Sequence, residues 1–350
     1  MEAFRTLSFV CLALMLHFNG LRVEAKNPSF SAIYQFGDSI SDTGNMVRES
    51  GGGGCGRPPY GETYFHYPTG RCSDGLIMID HFAQAFRLPF LSPYLDRSGN
   101  FSHGVNFAVA GATALDLSYL ETKKITAVST GSSLPVQLSW FKSYLATISS
   151  NPSVCKRKIR NALFVVGGVG GNDYASGVIG GKSMQDLHNF VPDVVQGITT
   201  VVQQLIDLGA RRIIVPGSFP VGCMPITLGG FSRNDAWAFD ENGCVKSWND
   251  LAADHNAHVK RAVVILRRRN PGVRIVYGDY FNALMSLFKN AASLGFDRNG
   301  LYDPCCGSCG APGVQPCPNP NVRVSWDGIH MTQHAYQFVA YQLLKQIKLL

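Results

Sequence analysis

A parallel α/β fold is what this sequence predicts, on three observations. Short runs of β-branched and aromatic residues alternate with longer amphipathic stretches; there are five such short runs; and the first three stop at clusters of Gly, Asp, Ser, Thr or Asn. Alternating strands and helices imply a parallel sheet with helices on both faces. Reactive groups in such sheets collect beyond the carboxyl ends of the strands, so polar clusters far apart in the chain are expected to share one rim.

Taken in order, "SAIYQF" (31–36) reads as a first strand halted at Gly37, and "GVNFAVA" (104–110) as a second, followed by "GATAL". "NALFVVGG" (161–168) is a buried third strand stopped by glycines. "DVVQGITTVVQQLIDLG" (193–209) has helical periodicity and a terminal Gly. "RRIIVPG" (211–217) is the fourth strand, "WNDLAADHNAHVKRAVVILRRR" (248–269) a long helix, "VRIVYGD" (273–279) the fifth strand, and "TQHAYQFVAYQLLKQIKLL" a closing helix.

With 350 residues, 45% hydrophobic and only 16% charged, the chain can bury a large core, which excludes a disordered or fibrous protein. Residues 1–25 read as a secretory signal peptide: Arg5, the apolar run "LSFVCLALMLHF", then the small-residue site around Val23 and Ala25. That run is too short to span a bilayer, and no other segment is long enough, so no transmembrane anchor is expected. Residues 26–350 are read as a single exported domain, bound for the extracellular space or cell wall, with the vacuole as the alternative. The net charge of +7 is scattered except for Arg267, Arg268 and Arg269, which sit at a helix end where cations complement the dipole, so no nucleic-acid partner is expected.

Without Cys11 of the leader, nine cysteines remain, an odd number that leaves at least one unpaired. Cys306-x-x-Cys309 lacks the second ligand pair that a zinc site needs, and disulfides pinning a Gly/Pro-rich loop are expected instead, with no metal. Cys223 and Cys244, which flank one excursion after the fourth strand, are the first pairing expected. Asn100-Phe101-Ser102 is the acceptable glycosylation sequon, since Pro follows Asn27 and Asn151.

A serine attacks an ester only when a base takes its proton and a third group orients that base. Ser39, just past the first strand, supplies the nucleophile. "WDGIH" supplies Asp327 as orienter and His330 as base, three residues apart. The oxyanion needs donors in place beforehand, and the Ser39 and Gly111 N–H groups with the Asn172 side-chain amide fit that need. Asp38 is expected to point away from the rim. Asp42, Asn45 and Asp173 are expected to organise turns. "SGVIGGKS" (176–183) imitates a phosphate loop, but its glycine falls one place late.

In order, "FGDSISDTGN", "GVNFAVAGATAL", "GVGGNDY" and "WDGIH" closely resemble the GDSL (SGNH) esterase/lipase family over essentially the whole mature chain, and "PPYGETYFHYPTGRCSDG" and "PGSFPVGCMP" look like its plant secreted branch. The resemblance implies a flavodoxin-like three-layer α/β/α sandwich with a five-stranded sheet, and a cofactor-free serine hydrolase with Ser39, Asp327 and His330 as triad and Ser39, Gly111 and Asn172 as oxyanion hole. Two positions depart from the pattern. Ile40 replaces the Leu of the family name, and Met331 stands where Pro is common, which is expected to loosen the His330 loop slightly. The partner expected is a small acyl ester, of a plant specialised metabolite or an acetylated wall component, acted on by a monomer. The rival readings are an acyltransferase using the same acyl-enzyme and a non-catalytic carbohydrate- or lipid-binding wall protein.

Overall fold

Residues 30–232 and 234–348 are described in a computed structural model; the predicted leader, residues 1–25, lies outside the described residues. Five parallel strands form one sheet: β1 (Ile33–Phe36), β2 (Gly104–Asn106), β3 (Leu163–Val166), β4 (Arg212–Pro216) and β5 (Arg274–Gly278), in the order β2-β1-β3-β4-β5. Pairing is in register from Ile33↔Leu163 to Phe36↔Val166. Chain order reverses between β1 and its neighbours β2 and β3, the topological switch at which open α/β sheets carry their sites.

Helices of eight residues or more are α1 (Met78–Ala85), α2 (Leu134–Ile148), α3 (Pro152–Ile159), α4 (Gly171–Ile179), α5 (Met184–Leu208), α6 (Lys246–Arg269), α7 (Tyr280–Lys289) and α8 (Gln333–Ile347). Strand residues alternate between two apolar layers, because both faces of the sheet are covered. Tyr34, Phe36, Phe164, Val166, Ile213 and Val215 pack with α2, α3, α5 and α6. Ile33, Leu163, Val165, Ile214 and Val276 pack with α1, α7 and α8. A small third cluster lies apart from both and gathers Tyr60, Cys72, Cys305, Cys306 and Trp326.

Where the elements differ from the sequence pattern, the causes are local. β2 is shorter than "GVNFAVA" because, although Phe107 and Val109 N–H still donate to the Gln35 and Gly37 carbonyls, Gly37 N–H turns to Gln137 Oε1 and does not continue the ladder. α5 starts at Met184 rather than Asp193 and carries Pro192 inside it, although an internal Pro costs a helix about 3 kcal/mol. Ser183 and Asp186 close a capping box at its start, and Leu187, Phe190, Val191 and Val194 are buried on either side of the Pro. α4 begins with Gly171-Asn172-Asp173, residues whose chemistry reads as a turn.

Candidate active site

The turn after β1 is fixed by groups from elsewhere in the chain. A Cβ on Gly37 would lie 2.6 Å from the Gly167 carbonyl oxygen, so the ends of β1 and β3 approach as only glycine permits. Gln137 of α2 then brackets Gly37, accepting from its N–H at 2.9 Å and donating to its carbonyl at 2.8 Å. Losing Gln137 would strand the buried Gly37 N–H at about 1–3 kcal/mol, while the Gly37 carbonyl keeps its bond from Val109 N–H. The Asp38 carbonyl accepts from Ser41 and Asp42 N–H, which closes a tight turn carrying Ser39.

Carboxylates tie this turn to the next two. Asp42 is fully buried; it accepts from Gly44, Asn45 and Met46 N–H, and reaches Ala110 N–H at 2.9 Å, beside Gly111. Gly111 sits at φ +85°, a backbone conformation that favours glycine. Asp173 accepts from Ala114 and Leu115 N–H, and the neighbouring Asn172 donates through Nδ2 to the Ala112 carbonyl at 2.9 Å. Ser39 and Gly111 N–H donate to no acceptor among the described residues. The three turns therefore meet, with two free backbone donors and one amide.

Asp38 corrects the sequence reading: it does not turn away from the rim. Asp38 lines the same cavity as Ser39, and its carboxyl turns toward the site, with Oδ1 accepting from Ile40 N–H and Oδ2 3.5 Å from Asn172 Nδ2. Burial pushes its pKa up to about 7, despite the Ile40 N–H and the neighbouring His330 charge that favour ionisation. Asp38 lies two residues beyond the end of β1 at Phe36, in a turn whose own hydrogen bonds set where its side chain points.

Asp327 and His330 lie on a loop ahead of α8. Asp327 Oδ1 accepts from the N–H groups of Ile329 (3.0 Å) and His330 (2.7 Å), which folds the loop back and brings the two side chains together. Oδ2 accepts from His330 Nδ1 at 2.6 Å, and His330 Nε2 accepts from Ser39 Oγ at 2.7 Å. Burial disfavours the Asp327 charge, but the His330 charge and the donors around the carboxylate outweigh it and hold the pKa at about 2. Burial likewise opposes the His330 cation, yet Asp327, with Asp38 behind it, keeps its pKa above the ordinary imidazole value. Met331 does not leave the loop loose. It is 1% exposed beneath α8 and bridges to Ser325, while Trp326 N–H donates to the His330 carbonyl at 2.7 Å.

One contact had no counterpart in the sequence reading. Tyr60 donates its hydroxyl to Asp327 Oδ2 at 2.9 Å, on the oxygen already bound to the imidazole. "PPYGETYF" marks the segment, but its target is 267 residues downstream.

A cavity of about 770 Å³ opens from Ser39 and Asn172 toward the ends of β3 and β4. Its walls are mostly apolar, among them Val169, Phe219, Met224, Phe231, Trp248 and Leu284. Val178, Ile179, Ile226 and Ile329 line it while remaining 40%, 73%, 63% and 51% exposed, so its mouth is apolar too. Cavities of this size and character take drug-sized organic molecules. Among the described residues four disulfides join Cys55 to Cys72, Cys223 to Cys244, Cys305 to Cys317 and Cys306 to Cys309, and Cys155 is a free, buried thiol. Asn100 is exposed.

A doubly covered parallel sheet, with a hydroxyl, an imidazole and a carboxylate in series beyond its strand ends, has the architecture of a serine-type hydrolase. The chain belongs to the GDSL-like lipase/acylhydrolase family, whose model matches residues 33–343, and it is an ester-bond hydrolase. It is 41% identical over 333 residues to acetylajmalan esterase 1 of Rauvolfia serpentina, covering 91% of this chain and 87% of that protein. It is 40% identical over 337 residues to a GDSL esterase/lipase of Arabidopsis thaliana, covering 92% and 85%. Among solved structures, phospholipase A1 from Streptomyces albidoflavus NA297 aligns over 91% of this chain and 99% of its own at 13% identity and a TM-score of 0.35, a likeness too remote to inform the site.

Proposed function

We propose that the protein cleaves carboxyl esters through an acyl-Ser39 intermediate, and the observation that carries this is the unbroken series Ser39 Oγ, His330 Nε2, His330 Nδ1, Asp327 Oδ2 at 2.7 and 2.6 Å beside an apolar cavity. Ser39 Oγ attacks the ester carbonyl while its proton passes to His330 Nε2. The oxyanion is met by Ser39 N–H, Gly111 N–H and Asn172 Nδ2. His330 then protonates the departing alcohol, and a water, deprotonated by the same nitrogen, releases the acid. Asp327 stays ionised throughout and stabilises the imidazolium. No step calls on a metal or cofactor.

The substrate we propose is an ester of a small acyl group with a larger apolar alcohol, a plant specialised metabolite being the better fit to the cavity than an acetylated wall polymer. Two supports stand behind this: the apolar walls would shed water around such an alcohol, and relatives in Rauvolfia serpentina are named acetylajmalan esterases. The protein works as a secreted monomer, freed of residues 1–25 and carrying a glycan on Asn100; none of the described helices is long and apolar enough to cross a membrane.

The experiment is a panel of acyl esters offered to wild type and to Ser39→Ala, reading released acid and alcohol, with fluorophosphonate labelling in parallel. Hydrolysis and labelling by wild type alone support the reading. Equal turnover by a folded Ser39→Ala protein overturns it, and acyl transfer to an added alcohol in excess of hydrolysis replaces it with the transferase reading.

A further inference from the structure

We infer that Tyr60 is a positioning residue for the catalytic base, acting through Asp327, and that the small cysteine-rich core exists in part to hold it there. The inference rests on the triad reading above. Asp327 receives four hydrogen bonds: two backbone N–H groups on Oδ1, and His330 Nδ1 with Tyr60 Oη on Oδ2. The backbone pair fixes where Oδ1 points. Among the described residues only Tyr60 shares Oδ2 with the imidazole, so Tyr60 sets how that oxygen divides its charge and its direction.

The placement of Tyr60 is enforced rather than incidental. It is 7% exposed, and its ring packs edge-on against Trp326, the residue before Asp327, at 6.2 Å between centroids. The Cys55–Cys72 disulfide closes the segment that carries it, and Gly61 N–H is bonded to the Ser73 carbonyl. On the other side, Cys306 N–H donates to the Trp326 carbonyl at 2.7 Å, and Cys305 N–H to that of Ser325. Tyr60, Trp326 and cysteines from three of the four disulfides thus form one cluster around the root of Asp327. Burial, and then the Asp327 charge, raise the phenol's pKa, so it remains a donor at every working pH. Tyr60 does not line the cavity, so its effect is on the base and not on substrate binding.

The expected consequence has a sign. A second donor on Oδ2 draws charge away from the Nδ1–H bond. Without it, the carboxylate holds the imidazolium more strongly and less squarely. The ionisable neighbours to be separated from this effect are Asp38, whose charge acts on His330, and Tyr336, which feels the charges of Asp327 and Asp38.

The test is Tyr60→Phe, which removes one oxygen and keeps the ring against Trp326. We expect kcat to fall about fivefold to tenfold with KM unchanged, less than the full worth of a hydrogen bond to a charged group because Tyr60 acts through Asp327. The acid limb of kcat/KM should move to higher pH, and His330's own ring titration, followed by NMR, should move with it, which separates it from Asp38. Site-specific replacement of Tyr60 by 3-fluorotyrosine, a stronger donor, should move the limb the opposite way and serves even where the Phe variant folds poorly. A wild-type kcat with a superimposable pH profile overturns the inference, as does a limb that moves down in Tyr60→Phe. Either result leaves the triad standing, because loss of activity in Ser39→Ala is an independent measurement.

Discussion

Ser39 and Gly111 sit on turns beyond β1 and β2, and Asn172 in the first turn of α4 beyond β3, whereas Asp327 and His330 sit on a loop that no strand of the sheet carries. The first group is held by the main fold through three buried side chains: Gln137 on Gly37, Asp42 across to Ala110, and Asp173 on Ala114 and Leu115. The second is held by a satellite core of cysteines, Tyr60 and Trp326. The difference teaches where each half is vulnerable. Backbone and carboxylate bonds in the sheet half are many and reinforce one another. The loop half depends on covalent closure of segments too polar and Gly/Pro-rich to bury a core of their own.

The comparison is sharpened first where the halves meet. Ser39→Ala, from the sheet half, should lower kcat by about four to six orders of magnitude, and His330→Ala, from the loop half, by a similar amount, because the pair acts as one unit. Steady-state kinetics on a common ester checks both, and a double variant no worse than either single one would show the shared action.

The pH profile follows from the loop half. The base must be neutral to accept the Ser39 proton, and its pKa is raised by Asp327 and Asp38 over the opposing effect of burial. Activity should therefore fall as pH drops through a midpoint above the ordinary imidazole value of 6.5, read from kcat/KM against pH. A midpoint below that value would mean that Asp327 does not support the cation as drawn.

Asn172→Ala, which touches only the sheet half, should lower kcat by about a hundredfold to a thousandfold, and should lower stability only by the loss of its bond to the buried Ala112 carbonyl, about 1–3 kcal/mol by denaturant unfolding. A change confined to KM would place the amide in binding rather than in oxyanion stabilisation.

The smallest effect separates the halves most cleanly. Cys55–Cys72 and Cys223–Cys244 close segments of 17 and 21 residues, so their chain-entropy contributions agree within about 0.2 kcal/mol. Replacing either pair by alanines should cost a similar stability, about 2–4 kcal/mol by thermal or denaturant unfolding. Kinetics should differ. Loss of Cys55–Cys72 frees Tyr60 and should lower kcat severalfold, whereas loss of Cys223–Cys244 loosens the segment that supplies Met224, Ile226 and Phe231 to the cavity and should raise KM. Equal effects on kcat would erase the distinction drawn between the two halves.

Much of the sheet half was legible in the sequence, because β-branched runs broken by glycine and polar residues state both a strand and its end. The loop half was legible only as "WDGIH", whose spacing of three works here through two backbone N–H groups folding onto Asp327 Oδ1. Asp38 was not legible because it lies beyond Phe36, in a turn where the bond from Ile40 N–H and not the strand sets its direction. α4 and the start of α5 were missed because Gly, Asn and Pro usually close elements, and here they open or interrupt them.

By itself the sequence determined the parallel α/β class, the five strands and the family, because these rest on local patterning and on motifs contiguous in the chain. Tertiary structure alone decided that Tyr60 meets Asp327, that Asp38 faces the cavity, that Cys305 pairs with Cys317 and Cys306 with Cys309, and that one side of Ser39 opens into an apolar cavity of about 770 Å³. Each of these joins groups brought together by packing, and packing is set by how side chains from several elements fill one volume, which no single stretch of sequence records.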